Sequence, residues 1–345
     1  MGKNLKRIKI LLNDKDRKPW SVIFIEVLKL TIGRKKFPFY YFGRFFYKKG
    51  FPNATHYMDS KLCDSILYSE KLNRNTPKSI LNNKLYFSLF CQANSIETCN
   101  LLAYNLYNTF FYQNQITTIA NAMQFYDFCC KLMEDKHPKR IFIKLCESMG
   151  GKGVYSITPS IPKNECDILW SNIEKDSFIF QEALEQHEDL STIFPHSINT
   201  LRIETYLTRN GSIEILGGMI RFGCGESVID NLSAGGLFVP INMDEGTLME
   251  KGITNLLTGA HNYSCHPTTN FVFLNFKIPF FKETIDLCKK FAQIIPNKLI
   301  GWDVAITPNG PVIIEGNHNP GLLSTEFSYK GFKNKPIFKE ILEDI

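Results

Sequence analysis

The apolar positions change period part-way along the chain. Residues 20–32 (WSVIFIEVLKLTI) read as a helix with polar breaks at Glu26 and Lys29. Residues 59–72 and 82–92 also read as helices, and Asn82 or Asn83 stands where a side chain can cap the second. Residues 1–80 are therefore expected to form a helical N-terminal region. Short β-branched and aromatic runs follow: IFIKL (141–145), GVYSIT (153–158), SFIFQEAL (177–184), TLRIETYLT (200–208), SIEILGGMIRFG (212–223), WDVAIT (302–307) and PVIIEGN (311–317). A further helix is expected at 280–294. There is no internal repeat. The mixture predicts α+β lobes rather than strict βαβ alternation.

Composition bounds the class. The 345 residues are 44% hydrophobic and 21% charged, enough for a large core and roughly two domains. No apolar stretch approaches the length of a membrane span, and MGKNLKRIKI lacks the apolar core of a signal peptide. Lys6 stands where a myristoylation signal has Ser or Thr. Ten cysteines without a Cys-x-x-Cys pair fit reduced thiols in a cytoplasmic protein. His261, Cys265 and His266 lack a spaced fourth ligand, so they read as a polar loop before Pro267 rather than a metal site.

Charge is uneven. Between Lys29 and Lys49 lie seven basic residues (Lys29, Arg34, Lys35, Lys36, Arg44, Lys48, Lys49) and no acid, so +7 falls here against +6 for the whole chain. Rings from Phe37 to Tyr47 alternate with them. The default reading is an aromatic segment packed on the main body with solvated charges. Weak contact with an anionic membrane ranks second and nucleic acid a distant third.

Three motifs carry chemistry. Lys144 ends the strand IFIKL and is followed by Glu147-Ser148-Met149-Gly150-Gly151-Lys152-Gly153-Val154. A glycine-rich turn between strands lets backbone N–H groups approach phosphate oxygens. It is not a P-loop, because Lys152 precedes Gly153 and a strand rather than Ser or Thr and a helix. The second motif is WDVAITPNGPVIIEGNHNPG (302–321). A three-residue loop, Pro308-Asn309-Gly310, would pair Thr307 with Pro311 and set Asp303 opposite Glu315, with Asn317 on the same face. Facing carboxylates repel, and a hard cation such as Mg²⁺ removes the penalty. The pair is expected to be exposed and to matter little to stability. The third motif comprises Asn199, Thr200 and Arg202, then Arg221, then DNLSAGG from Asp230. Either arginine can clamp phosphate or carboxylate.

QEALEQH followed by INTLRIET, then DNLSAGG, then Asp303…Glu315-x-Asn317, resemble the ATP-grasp superfamily. More closely, they resemble its sugar-transfer-associated branch, found in bacterial polysaccharide gene neighbourhoods. The resemblance implies an ATP-grasp fold: two α+β lobes around ATP, with 81–181 the small lobe and 182–345 the large lobe, after the helical region 1–80. It implies that Lys144 and Lys84 touch the phosphates and that the loop Gly150, Gly151, Lys152 and Gly153 closes over them. Gln181, Glu182, Ala183 and Leu184 would form the hinge that bonds adenine, and Glu188, or its rival Asp189, would hold the ribose. Asp303, Glu315 and Asn317 would bind Mg²⁺, and Arg202 and Arg221 would act at the transferred phosphoryl. The chain departs from many members after Lys144, where LCES replaces a Pro-containing segment. The implied activity is a cytoplasmic, ADP-forming carboxylate–amine ligase acting through an acylphosphate. Its substrates would be a free or lipid-linked sugar acid or amino sugar and an amine, met at the inner membrane face. A sugar phosphotransferase and a non-catalytic nucleotide-binding protein at the membrane are the alternatives.

Overall fold

The sharpest period-two segments become the centre of the larger of two antiparallel sheets. The computed structural model describes residues 10–51, 53–148, 152–225, 230, 235–254, 261–333 and 335–345. Helices α1 (Trp20–Arg34), α2 (Phe39–Gly43), α3 (Ser60–Leu67), α4 (Asn75–Asn82) and α5 (Lys84–Ala93) come first. The small lobe holds β1 (Leu101–Leu106), β2 (Thr109–Tyr112), β3 (Gln115–Thr118), α6 (Ala122–Lys136), β4 (Ile141–Leu145), β5 (Val154–Ile157), α7 (Lys163–Ile173) and β6 (Ser177–Glu182). Its sheet runs β3-β2-β1-β6-β4-β5, and α6 and α7 cover it through Phe125, Leu132, Trp170 and Ile173.

The chain then enters the large lobe: α8 (Glu188–Ile193), β7 (Leu201–Leu207), β8 (Ile213–Phe222), β9 (Leu237–Asn242), β10 (Thr247–Leu248), β11 (Gly252–Thr254), β12 (Asn262–Tyr263), α9 (Phe281–Ile294), β13 (Leu299–Thr307), β14 (Gly310–Asn317), α10 (Leu323–Ser328) and α11 (Pro336–Glu343). The sheet order is β12-β11-β9-β8-β7-β13-β14, with β10 paired to β9. Alternation sorts the side chains. Leu201, Ile203, Ile220, Trp302, Val304 and Ile313 share one core with Phe291 of α9. Tyr206, Leu216 and Leu299 share another with Met58, Ile66 and Phe338. Asn83 caps α5, accepting from the Leu85 and Tyr86 amides at 3.0 and 3.1 Å. Phe87 and Cys91 of α5 enter the large-lobe core, whereas its Leu85 packs on Cys146 and Ile179 of the small lobe, so this helix binds both.

The basic aromatic segment is mostly consumed by packing. Tyr41, Phe45, Phe46 and Tyr47 are buried with Met219, Phe238 and Phe327. Arg34 pairs with Asp59 at 2.6 Å, Arg44 donates to the Met58 carbonyl at 2.7 Å, and Lys48 meets Asp14 at 3.4 Å. All ten cysteines are free, and burial pushes the Cys91 thiol up to about 12, which leaves it unreactive. His266 is buried, with a ring nitrogen 2.9 Å from the Gly223 carbonyl.

Candidate functional site

Four adjacent strands present polar side chains on the face opposite α9. Register sets one row across three of them: Arg202 of β7 faces Asp303 of β13, and Asp303 faces Glu315 of β14. The route to that last pair differs from the sequence expectation. Thr307 pairs with Gly310, not Pro311, so the turn has two residues, and a bulge at Ile314 supplies the residue that keeps Asp303 opposite Glu315. The expected exposure is also corrected, because Asp303 is buried.

Asp303 is clamped by two guanidiniums. Arg202 donates from Nε to Oδ1 at 2.6 Å, from Nη2 to Oδ2 at 3.1 Å, and from Nη1 to the Pro320 carbonyl at 2.8 Å. Arg221 Nη2 lies 2.9 Å from Oδ2. Burial opposes ionisation of Asp303, but the two arginines override it and hold the carboxyl well below its usual range. Arg202 can lie flat here because residue 301 is Gly: a Cβ there would sit 2.6 Å from Pro320 Cβ and 3.2 Å from Arg202 Cδ. Arg221 also donates to the Thr200 hydroxyl. That hydroxyl donates to Asp230, which accepts the Thr200 amide at 2.9 Å as well. Glu315 titrates upward, through burial first and then the Asp303 charge, with Lys84 opposing.

The small lobe closes the other side. Lys84 opens α5 and its Nζ donates to the Ser148 carbonyl at 2.9 Å. Burial and the neighbouring Lys144 charge lower its pKa, with Glu315 opposing. Lys144 donates to Gln181 Oε1 at 3.0 Å. Two ammoniums facing one cleft call for an anion between them. The cleft measures about 410 Å³. Phe142, Val154, Leu184 and Ile198 give it an apolar part suited to a flat base, and Lys84, Lys144, Arg202 and Arg221 a cationic part.

Residues 64–336 match the model of the sugar-transfer associated ATP-grasp family. The chain belongs to that family. Its fold is ATP-grasp, with a helical region before it. Solved structures similar to it include D-alanyl-alanine synthetase A of Vibrio cholerae O1 biovar eltor (12% identity, 78% of this chain and 66% of that one, TM-score 0.45). Others are D-alanine-D-alanine ligase of Coxiella burnetii (8%, 77% and 58%, 0.46) and biotin carboxylase of Campylobacter jejuni (8%, 73% and 44%, 0.42). The chain spans 66% or less of each of these three. The comparison with curated proteins finds no match.

Of the residues singled out in the sequence, Lys84, Lys144, Ser148, Val154, Glu182, Leu184, Thr200, Arg202, Arg221, Asp230, Asp303, Glu315 and Asn317 line this cleft. The other described site candidates do not. Gln181 is buried beneath it, holding Lys144. The Ala183 amide is tied to the Arg140 carbonyl at 3.0 Å, while the Leu184 amide makes no hydrogen bond among the described residues. Lys152 is exposed and outside the lining, as are Glu188 and its rival Asp189 on the first turn of α8. Gly150 and Gly151, with Asn231 and Ser233 of DNLSAGG, lie outside the described residues. Gly153 has φ +65°, and a Cβ there would meet Leu145 Cβ at 2.8 Å, so the loop re-enters β5 only through glycine. Of the apolar lining, Phe142, Ile198 and Ile314 carried no signal in the sequence.

Among the described residues, no three His, Cys, Asp or Glu side chains are grouped to hold a metal. The donors here are two carboxylates and an amide. Asn317 Nδ2 lies 3.4 Å from Asp303 and 3.3 Å from Glu315. With the Asn317 amide turned to present its oxygen, Asp303, Glu315 and Asn317 would make an all-oxygen set that fits Mg²⁺.

Behind the site, Glu204 on β7 is fully buried, and neither carboxyl oxygen has a hydrogen-bond partner among the described residues. Burial pushes it up to about 7, with Arg202 and Lys335 opposing. Glu326 is likewise pushed by burial to about 7. Raised carboxyl pKa values stabilise the fold below pH 4.5, and that contribution is lost as pH rises through about 7. Glu204→Gln is expected to remove about half of this loss, about 3 kcal/mol, from urea melts between those limits. An unchanged slope would mean that Glu204 keeps an ordinary pKa.

Proposed function

We propose that this chain is an ADP-forming carboxylate–amine ligase working through an acylphosphate on a free or lipid-linked sugar acid or amino sugar. We assign it to surface polysaccharide biosynthesis in the cytoplasm. The convergence of Lys84, Lys144, Arg202 and Arg221 on the cleft that holds Asp303 and Glu315 carries the reading, together with the family match. The apolar part of the cleft takes the base, with the Leu184 amide as its donor. Lys84 and Lys144 neutralise the phosphates. Arg221 and Arg202 stand where charge builds as a substrate carboxylate oxygen attacks the γ-phosphorus and ADP leaves. An amine nitrogen then attacks the acyl carbon, phosphate departs and the nitrogen loses its proton. Bound Mg²⁺ would supply further charge neutralisation at the phosphates.

The test is an array of sugar acids and amines read by ADP and phosphate release. ADP and inorganic phosphate are expected only when acid and amine are both present. Transfer of phosphate to a sugar hydroxyl with no amine requirement would make the enzyme a phosphotransferase. Absence of Mg-ATP binding would leave a protein without this chemistry.

A further inference from the structure

Helix α1 meets the protein along a narrow stripe. Ile23 and Leu30 are its buried residues, and Glu26 turns inward to Lys18, 2.8 Å away, and to the Tyr41 hydroxyl. Among the described residues the other side is open, except that the Arg17 guanidinium lies over the Trp20 ring, 4.3 Å from its centroid. Trp20, Phe24, Leu28 and Ile32 recur at every fourth residue, with Phe24 and Ile32 each 69% exposed. Val22 and Ile25 widen the strip, and Phe37 and Phe39 extend it past the helix end. Among the described residues, nine of the 21 exposed large hydrophobics fall between Leu12 and Phe39, in less than a tenth of the chain. Single exposed apolar residues need no explanation, but a contiguous face of this kind marks a binding surface.

The surrounding charge selects the occupant. Lys29, Lys35 and Lys36 are exposed beside this face. Three of the nearby acids are already engaged, Glu26 by Lys18, Asp59 by Arg34 and Asp14 by Lys48, which leaves Asp16 against the exposed lysines. A second copy docked here would bring its own lysines against these, whereas an anionic bilayer brings counter-charge. Fifteen residues span about 22 Å, and no helix among the described residues is long and apolar enough to cross a membrane. Trp20 at the helix start suits the headgroup boundary.

We infer that α1 lies in the plane of an anionic membrane surface, its Trp20–Phe24–Leu28–Ile32 side in the acyl boundary and Lys29, Lys35 and Lys36 on lipid phosphates. The inference is independent of the reaction proposed above. It differs from a purely electrostatic patch, because insertion of the apolar side survives salt.

Trp20 reports on it directly, since Trp170 and Trp302 are buried. The full chain is mixed with phosphatidylcholine–phosphatidylglycerol vesicles and followed by tryptophan emission and co-sedimentation. A blue shift and co-sedimentation are expected, weakened but retained at high salt. Changing Lys29, Lys35 and Lys36 together to Ser lowers binding at low salt by about 100-fold, at about five-fold per charge. The triple variant Phe24→Ser, Leu28→Ser, Ile32→Ser loses binding at every salt concentration, while its circular dichroism and melting temperature stay as in the parent. Undiminished binding by that variant, complete release of the parent by salt, or no binding at low salt overturns the inference. So does a dimer in sedimentation velocity that the triple variant abolishes, which would assign the face to a second copy.

Discussion

Glu315→Gln loses ADP release by at least about 100-fold and melts at the same temperature as the parent or higher. Both parts follow from one geometry. Glu315 faces Asp303 across the β13–β14 ladder, and burial together with the Asp303 charge disfavours its ionised form. The fold therefore carries a repulsion that the site uses, and a neutral amide of the same shape relieves it. In the proposed function, the second anionic oxygen would serve a cation shared with the phosphates. Calorimetry and an ADP-release assay on the same preparation decide the matter. Unimpaired turnover removes Glu315 from the site. A melting temperature well below the parent's makes it a structural residue.

Asp303→Ala behaves in the opposite sense and destabilises the chain by about 3–5 kcal/mol. The carboxylate is the shared partner of Arg202 and Arg221, so its removal leaves two guanidiniums in a poorly solvated cleft. Of the two, Arg202 keeps the Pro320 carbonyl and Arg221 keeps Thr200 and Asp230. Replacing Arg221 with Met in the Asp303→Ala background should recover part of the loss, because the uncompensated charge goes with it. Urea denaturation measures both steps. A loss below about 1 kcal/mol for Asp303→Ala would show that water, rather than the carboxylate, carries the arginines.

What could be read before the fold was known follows from two-faced strands. IFIKL, TLRIETYL and WDVAIT each set an apolar row against a charged one, and those segments became β4, β7 and the end of β13. The start of β13 escaped, because Leu299 and Ile300 are buried on opposite faces and show no alternation. The β1–β2–β3 meander escaped for another reason. Its turns are Tyr107-Asn108 and Gln113-Asn114, where Tyr107, Gln113 and Asn114 take positive φ. No glycine marks them, so the usual hairpin signal is missing. Charged groups of the cleft were legible because Lys, Arg, Asp and Glu in strands need partners. Phe142, Ile198 and Ile314 were not, since an apolar residue that lines a cleft looks like any core residue. The same holds for α1: an apolar helix reads as buried, and only packing reveals which side was left open.

The bulge in β14 has a consequence for how the cleft is held together. Along a regular strand, neighbouring side chains point to opposite faces. At the bulge, Ile314 and Glu315 both line the cleft. The greasy wall and the acidic floor therefore meet at a single peptide bond. Whatever ligand reaches from one to the other is measured against a ruler with no joint in it. The spacing between the two points where β14 touches it is set by the strand alone.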